Sequence, residues 1–384
     1  MNQRILTLAV LLVSVAIGIQ LGGHGYLWKA LASTYLQGYR TADIDDASNF
    51  AQRAIRKGVE QPWPKDRRYN EKPLDPELLA HLRQQDSAAF VVLQYGALVH
   101  ETYFGDYQAS SRTNSFSMAK TITTLQVALA VKEGFISSFD TRLTERIPEY
   151  VNDPRGKRAT LAQLSSMKSG HDWTENYYTP LNITTKLYYG DDAESLVLRQ
   201  GFEREPGTGY EYSSGSTQLM GVFLKRALEA KEPGLNISEH LSRSLWRPLG
   251  MESDAFYTLD REGGTERTYC CIFATARDFA KIGQLLLQDG RWDGRALLDK
   301  AFVERMRKPD LQTFYGHSLW MDWAYQYPFY LLQGHQGQYV IIVPAQSLVV
   351  VRTGHQGGKM ERDQTGILPS EVYRFVDQAV KLVH

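Results

Sequence analysis

The sequence predicts an α+β protein in which a sheet is assembled from both ends of a 384-residue chain, with a long helical insert between them. Two observations carry this. Apolar or β-branched runs at residues 88–94 and 98–103 are separated by Tyr95-Gly96-Ala97, which reads as a hairpin. Helical and loop-rich sequence follows for nearly two hundred residues before strand-like runs return at 330–332, 339–343 and 348–352, and residues 370–383 carry a helical period. No internal repeat or low-complexity segment interrupts the pattern.

Composition narrows the class. With 43% hydrophobic and 11% aromatic residues, the chain can bury a large core as one large or two interleaved domains. Forty-three basic and forty-three acidic residues cancel, and no long basic run occurs, so the footprint of a nucleic-acid binder is missing. The two cysteines, Cys270 and Cys271, are adjacent. Neighbours in a strand point to opposite faces, so two buried thiols are expected rather than a disulfide. The sequence has no His-Glu-x-x-His, paired Cys-x-x-Cys, phosphate-binding glycine loop or Gly-x-Ser-x-Gly elbow, which leaves metal, nucleotide and α/β-hydrolase chemistry without a motif.

The N-terminus has its own character. Arg4 precedes an apolar run over 5–21, and apart from His24 no ionisable side chain appears before Lys29. Residues 1–28 are therefore expected to be a retained membrane anchor, with the catalytic body in the periplasm or outside the cell; the alternative is a signal segment cleaved near Ser14-Val15-Ala16 and a secreted protein. Residues 29–84 then read as a tether wrapping onto a body at 85–384.

The candidate chemistry begins at Ser115-Phe116-Ser117-Met118-Ala119-Lys120. Residues three apart share a helix face, so Lys120 can reach the Ser117 hydroxyl. Apolar residues Met118, Ile122, Leu125 and Leu129 continue a helical period to Gly134, a C-cap candidate, so Ser117 starts a helix. The positive helix end then favours a developing oxyanion. A second Ser-x-x-Lys, Ser165 to Lys168, lies at the end of a short helical pattern, where the dipole is unfavourable, and reads as a solvated helix end.

Four further motifs follow in order: Tyr210-Glu211-Tyr212-Ser213-Ser214, Pro248-Leu249-Gly250-Met251, the run Ala274-Thr275-Ala276-Arg277-Asp278-Phe279-Ala280-Lys281-Ile282-Gly283, and Gly334-His335-Gln336-Gly337-Gln338. With the serine motif they make the chain, over roughly residues 85–380, resemble the beta-lactamase-related serine hydrolases. That superfamily includes class C beta-lactamases, D-alanyl-D-alanine peptidases, family VIII esterases and 6-aminohexanoate-dimer hydrolases. The resemblance implies an antiparallel sheet flanked by helices beside an inserted all-helical lobe, roughly 119–311, with the site in the crevice between.

Carried over residue by residue, the resemblance makes Ser117 the acylated nucleophile, Lys120 the amine that takes its proton and Tyr212 the general acid/base. The backbone N–H of Gln338 would join that of Ser117 in the oxyanion hole, and Gly337 would let substrate approach the edge strand. His335 stands where many relatives carry lysine, and Ser214 where beta-lactamases carry asparagine. A histidine with an ordinary pKa near 6.5 is mostly neutral at pH 7, so recognition of a substrate carboxylate should be weak. Trp173 and Trp320 read either as walls of an acyl pocket or, the more frequent outcome, as core residues, and Glu175 either as approaching the cleft or as a solvated loop carboxylate. The expected activity is hydrolysis of a small-molecule ester or amide through a Ser117 acyl-enzyme, without metal or organic cofactor. The alternatives are a beta-lactamase or D-alanyl-D-alanine carboxypeptidase, and, in another class, a non-catalytic binder of acyl groups or cell-wall fragments.

Overall fold

The computed structural model describes residues 3–358 and 368–384; residues 1–2 of the N-terminal segment and 359–367 of the body lie outside the described residues. From the N-terminus the elements are α1 (Gln3–Leu21), α2 (Tyr26–Ser33), β1 (Gln52–Ile55), α3 (Pro76–Gln84), β2 (Ser87–Gln94), β3 (Ala97–Tyr103), β4 (Arg112–Asn114) and α4 (Met118–Lys132). The insert continues with α5 (Leu161–Ser165), α6 (Ile183–Tyr189), α7 (Ala193–Leu198), α8 (Ser214–Lys231), α9 (Ile237–Leu241), β5 (Ala255–Thr258), β6 (Ile272–Thr275) and α10 (Ala276–Leu287). A small hairpin, β7 (Arg291–Trp292) and β8 (Arg295–Ala296), and α11 (Lys300–Met306) lead to β9 (Trp320–Asp322), β10 (Phe329–Gly334), β11 (Gln338–Val343), β12 (Leu348–Gly354) and α12 (Ser370–Val383).

The main sheet is antiparallel, in the order β3-β2-β12-β11-β10-β9, so both chain ends do meet in it. Alternate residues of each strand serve different cores. On β12, Leu348 and Val350 pack with Leu78 and Leu82 of α3 and Phe375 and Val376 of α12, whereas Val349 and Val351 join the core that contains Phe279 and Ile282 of α10. Burial on both faces explains why β2, β11 and β12 are nearly unbroken apolar runs. Gly283 lets α10 lie close, because a Cβ there would stand 2.7 Å from the methyls of Val340 and Val349.

A second, four-stranded sheet, β1-β5-β6-β4, joins two strands of the insert, β5 and β6, to two that precede it, β1 and β4, and the sequence pattern did not reveal it. Its strands are three or four residues long, too short for an alternation to register. This sheet matters to the site, since β4 runs directly into Ser117.

Two expectations are corrected. Among the described residues no helix is long and apolar enough to cross a membrane, so the anchor, and the placement of the body outside the membrane that followed from it, are not supported. The apolar run ends as a helix at Leu21. At 1.5 Å per residue its 19 residues rise about 28 Å, short of a hydrocarbon core of about 30 Å. The chain then turns at Gly22-Gly23 into α2, which spans the composition break at Lys29 and buries Tyr26 and Ala30 in the core. The cysteines are likewise not free thiols: Cys270 and Cys271 form a disulfide. They lie in a turn rather than a strand, and Cys271 has φ +74°, so the alternation that would separate their side chains does not apply.

Candidate active site

Ser117 is the N-cap of α4, at the end of a turn whose preceding residue, Phe116, has φ +41°. The turn is held from both sides. Asn114 Oδ1 accepts from the Phe116 N–H at 3.0 Å, Ser115 N–H donates to Ile272 O at 2.8 Å, and Ile272 N–H donates to Ser115 Oγ at 3.2 Å. The Ser117 N–H finds no acceptor among the described residues. α4 is buried nearly all round, and its polar side chains bond outward: Thr121 to Ser318 O at 2.6 Å and Thr123 to Thr268 O at 2.7 Å.

Lys120 lies one turn along, 1% exposed. Its Nζ donates to Ser117 Oγ at 3.0 Å, Ser214 Oγ at 3.0 Å and Tyr269 O at 3.1 Å. Burial lowers its pKa to about 8, against an upward pull from the charge of Glu175. Glu175 does not touch the lysine directly. Ser214 donates to it from Oγ at 2.5 Å and from N at 2.8 Å, Tyr177 OH donates at 2.6 Å and Trp173 Nε1 at 2.9 Å. A relay of hydrogen bonds thus runs Lys120–Ser214–Glu175.

Tyr212 stands across from the lysine, its ring centroid 5.0 Å from Lys120 Nζ and packed on Trp320 at 5.4 Å. Desolvation pushes its pKa well above 10 against a downward pull from the Ser117 hydroxyl, so it is a protonated phenol at neutral pH. Tyr177, from the loop before α6, is raised by burial and by Glu175, against a downward pull from the Ser117 hydroxyl.

The turn between β10 and β11 forms the opposite side. His335 packs its ring against Phe116 at 5.5 Å and Tyr177 at 4.9 Å, and its Nε2 has no hydrogen-bond partner. Burial lowers its pKa to about 4, so it stays neutral across the working pH range. Gly337, with φ +77°, permits a turn in which a Cβ would meet Arg352 Nη1 at 2.5 Å. The Gln338 carboxamide is spent on structure: Nε2 donates to Gly354 O at 2.7 Å and to His335 O at 3.0 Å. A cavity of about 300 Å³ opens over Ser117, lined from this side by His335 and not by Gly337 or Gln338, and also by Ser214, Tyr177 and Tyr269.

The structure therefore gathers Ser117, Lys120, Tyr212, Ser214 and His335, with Gly337 and Gln338 behind them. The second Ser-x-x-Lys does not assemble: Ser165 Oγ bonds to Ala162 O and His317, while Lys168 pairs with Asp310. Sequence reasoning missed Tyr177 and left Glu175 between the cleft and solvent; the structure places Glu175 at the cleft, and the one signal for Tyr177 was its nearness in sequence to Trp173 and Glu175. Lys281 and Asp278 of the fourth motif are structural: Lys281 Nζ donates to Gln61 O at 2.6 Å and to Gly250 O, and Asp278 accepts from Glu252 N–H at 2.7 Å. Among the described residues, Asp43, Asp45 and His355 bring metal-type ligand atoms within 4.8 Å of one another. The imidazole is already bonded to Asp43 at 2.9 Å and to Tyr107 OH at 2.7 Å.

Comparison with known proteins bears on the family and the fold. The chain is 26% identical over 239 residues to the 6-aminohexanoate-dimer hydrolase of Paenarthrobacter ureafaciens, a match spanning 60% of this chain and 59% of that relative. A Bacillus anthracis structure provisionally named a 6-aminohexanoate-dimer hydrolase superposes with a TM-score of 0.72 at 22% identity, over 88% of this chain and 91% of that one. A family VIII carboxylesterase superposes at 0.61, with 16% identity over 81% and 99%. The Beta-lactamase family model matches residues 76–368, most of the chain including every site residue above, and the protein belongs to that family of hydrolases.

Proposed function

We propose that the protein is a serine hydrolase that cleaves a small ester or amide through an acyl-enzyme on Ser117. The observation that carries this is the 3.0 Å contact between Ser117 Oγ and a buried Lys120 whose pKa is lowered to about 8. Near neutral pH an appreciable fraction of that amine is neutral and can accept the serine proton as Oγ attacks the carbonyl carbon. The positive charge that develops on Lys120 faces Glu175 through Ser214. Tyr212 is a phenol and not a phenolate, so it donates its proton to the leaving oxygen or nitrogen and is reprotonated from Lys120. Water then attacks the acyl carbon by the reverse proton path, and Ser117 leaves with its proton restored. The free N–H of Ser117, together with that of Gln338, is proposed to hold the oxyanion.

The amide-hydrolase name of the Paenarthrobacter relative and the esterase name of one structural neighbour support this breadth. A beta-lactamase or carboxypeptidase is less well supported, because the imidazole of His335 remains uncharged and offers a carboxylate no cation. With the pKa lowered to about 4, mild acid near pH 6.5 does not create one there. Fluorophosphonate should label the protein at Ser117, with labelling abolished in Ser117→Ala and retained in Ser165→Ala. Labelling that survives Ser117→Ala and disappears in Ser165→Ala would overturn the assignment.

A further inference from the structure

The cavity over Ser117 is built in part by residues far outside the hydrolase motifs. One wall is α2, contributing Leu27, Trp28 and Leu31; the facing wall carries Tyr178, Pro180 and Tyr189. α2 is fixed there: Tyr26 OH donates to Pro180 O at 3.1 Å across the two walls, and Ala30 is buried in the main core. Among the described residues Arg40 is the one formally charged side chain in the lining, and it is exposed. Lys120 and Glu175 are not in the lining. A substrate bearing a carboxylate or ammonium deep in this space would meet no opposite charge among the described residues.

The mouth is apolar as well. Trp28 is 44% exposed, Leu31 40%, Tyr35 56% and Tyr178 67%, and all four line the cavity. Scattered exposed apolar residues mean little, but a cluster around an opening marks a ligand groove.

We infer that the N-terminal segment is part of the substrate site and that the acyl group of the substrate is an extended, uncharged apolar chain seated between α2 and the Tyr178–Tyr189 wall. The inference rests on the serine-hydrolase reading and names its substrate class. It gives the apolar helix α2 a task that a tether would not have.

The test uses the full chain and p-nitrophenyl esters from acetate to decanoate, with one acyl chain of octanoate length ending in a carboxylate. kcat/KM is expected to rise roughly fourfold per methylene until the cavity is filled, and the carboxylate-ended ester should fall at least tenfold below its alkyl counterpart. Leu31→Trp, which fills the space from α2, should lower the octanoate-to-acetate ratio by about tenfold or more. Thr185→Trp does the same from the opposite wall, so a folding defect in one variant does not decide the matter. In parallel, calorimetry on Ser117→Ala compares 1-octanol with 1-propanol: octanol should bind and Leu31→Trp should remove that binding. A flat acyl series, or a ratio unchanged by both tryptophan variants, overturns the inference while Ser117 labelling leaves the hydrolase reading standing. Octanol binding that Leu31→Trp removes, in a protein that fluorophosphonate does not label and that cleaves none of the esters, sinks the hydrolase reading and keeps the apolar site.

Discussion

At the scale of single residues, the site turns on one buried amine. Lys120 titrates near 8 folded and near 10.5 unfolded, so between those values the unfolded chain binds more protons and stability rises with pH; below about 8 the full cost of burying the cation applies. Activity should follow the same group, with kcat/KM climbing through an apparent pKa near 8 as the neutral amine forms. Glu175 raises that pKa, so Glu175→Gln should move the climbing limb to lower pH even if the absolute rate falls. A limb that stays in place would mean another group sets it. Ser117 and Lys120 were legible because a three-residue spacing on a helix is a geometric statement. Glu175 could be read only as near the cleft or solvated, because a lone loop carboxylate carries no period, and only folding shows the four donors that converge on it.

At the scale of elements, the start of α8 is where packing and chemistry meet. Gly215 sits against Trp173, and an added Cβ would lie 2.3 Å from the indole. Alanine in a helix ordinarily gains up to about 1 kcal/mol over glycine, whereas overpacking a rigid core costs about 1–3 kcal/mol, so Gly215→Ala should lower the melting temperature. It should also lower kcat, since Trp173 Nε1 holds Glu175. A stabilised variant with unchanged kcat would show that the indole has room to yield. Long elements such as β2, β12, α4 and α12 were readable from apolar runs and helical period, although α4 ends at Lys132 with Glu133 as its C-cap, and Gly134, with φ +75°, is the residue after the cap. The three- and four-residue strands behind the nucleophile were not, since their pairing partners lie far away in sequence and supply the order that local pattern lacks.

At the scale of the molecule, the sheet closing from both chain ends followed from where strand-like runs begin and resume, but the place of the N-terminal segment did not. Apolarity alone says that a segment is buried somewhere; whether in lipid or against its own protein depends on a tertiary surface absent from the sequence pattern. That segment is secured by a clasp whose two halves are far apart in the chain. His355 Nδ1 bonds to Asp43, and its Nε2 to Tyr107 OH, which also donates to Asp45 at 2.5 Å. Burial pulls the His355 pKa down, but the hydrogen bond and charge of Asp43, with Asp86 and Asp45, outweigh it, and the net shift is upward. Its contribution is therefore complete below about 6.5 and is lost as pH rises through the higher folded value. Asp46 acts in the same direction: burial raises its pKa to about 7, so ionising it between about 4 and 7 costs stability that is not recovered at higher pH. Residues 40–46 should accordingly dock more tightly at pH 6 than at pH 9. Amide exchange corrected for intrinsic rates should show greater protection there at the lower pH, and His355→Gln should make the trend shallower while leaving the Asp46 part. Protection that is equal at both pH values, or a trend just as steep in His355→Gln, would remove this clasp as the means by which the C-terminal half holds the N-terminal segment over the active site.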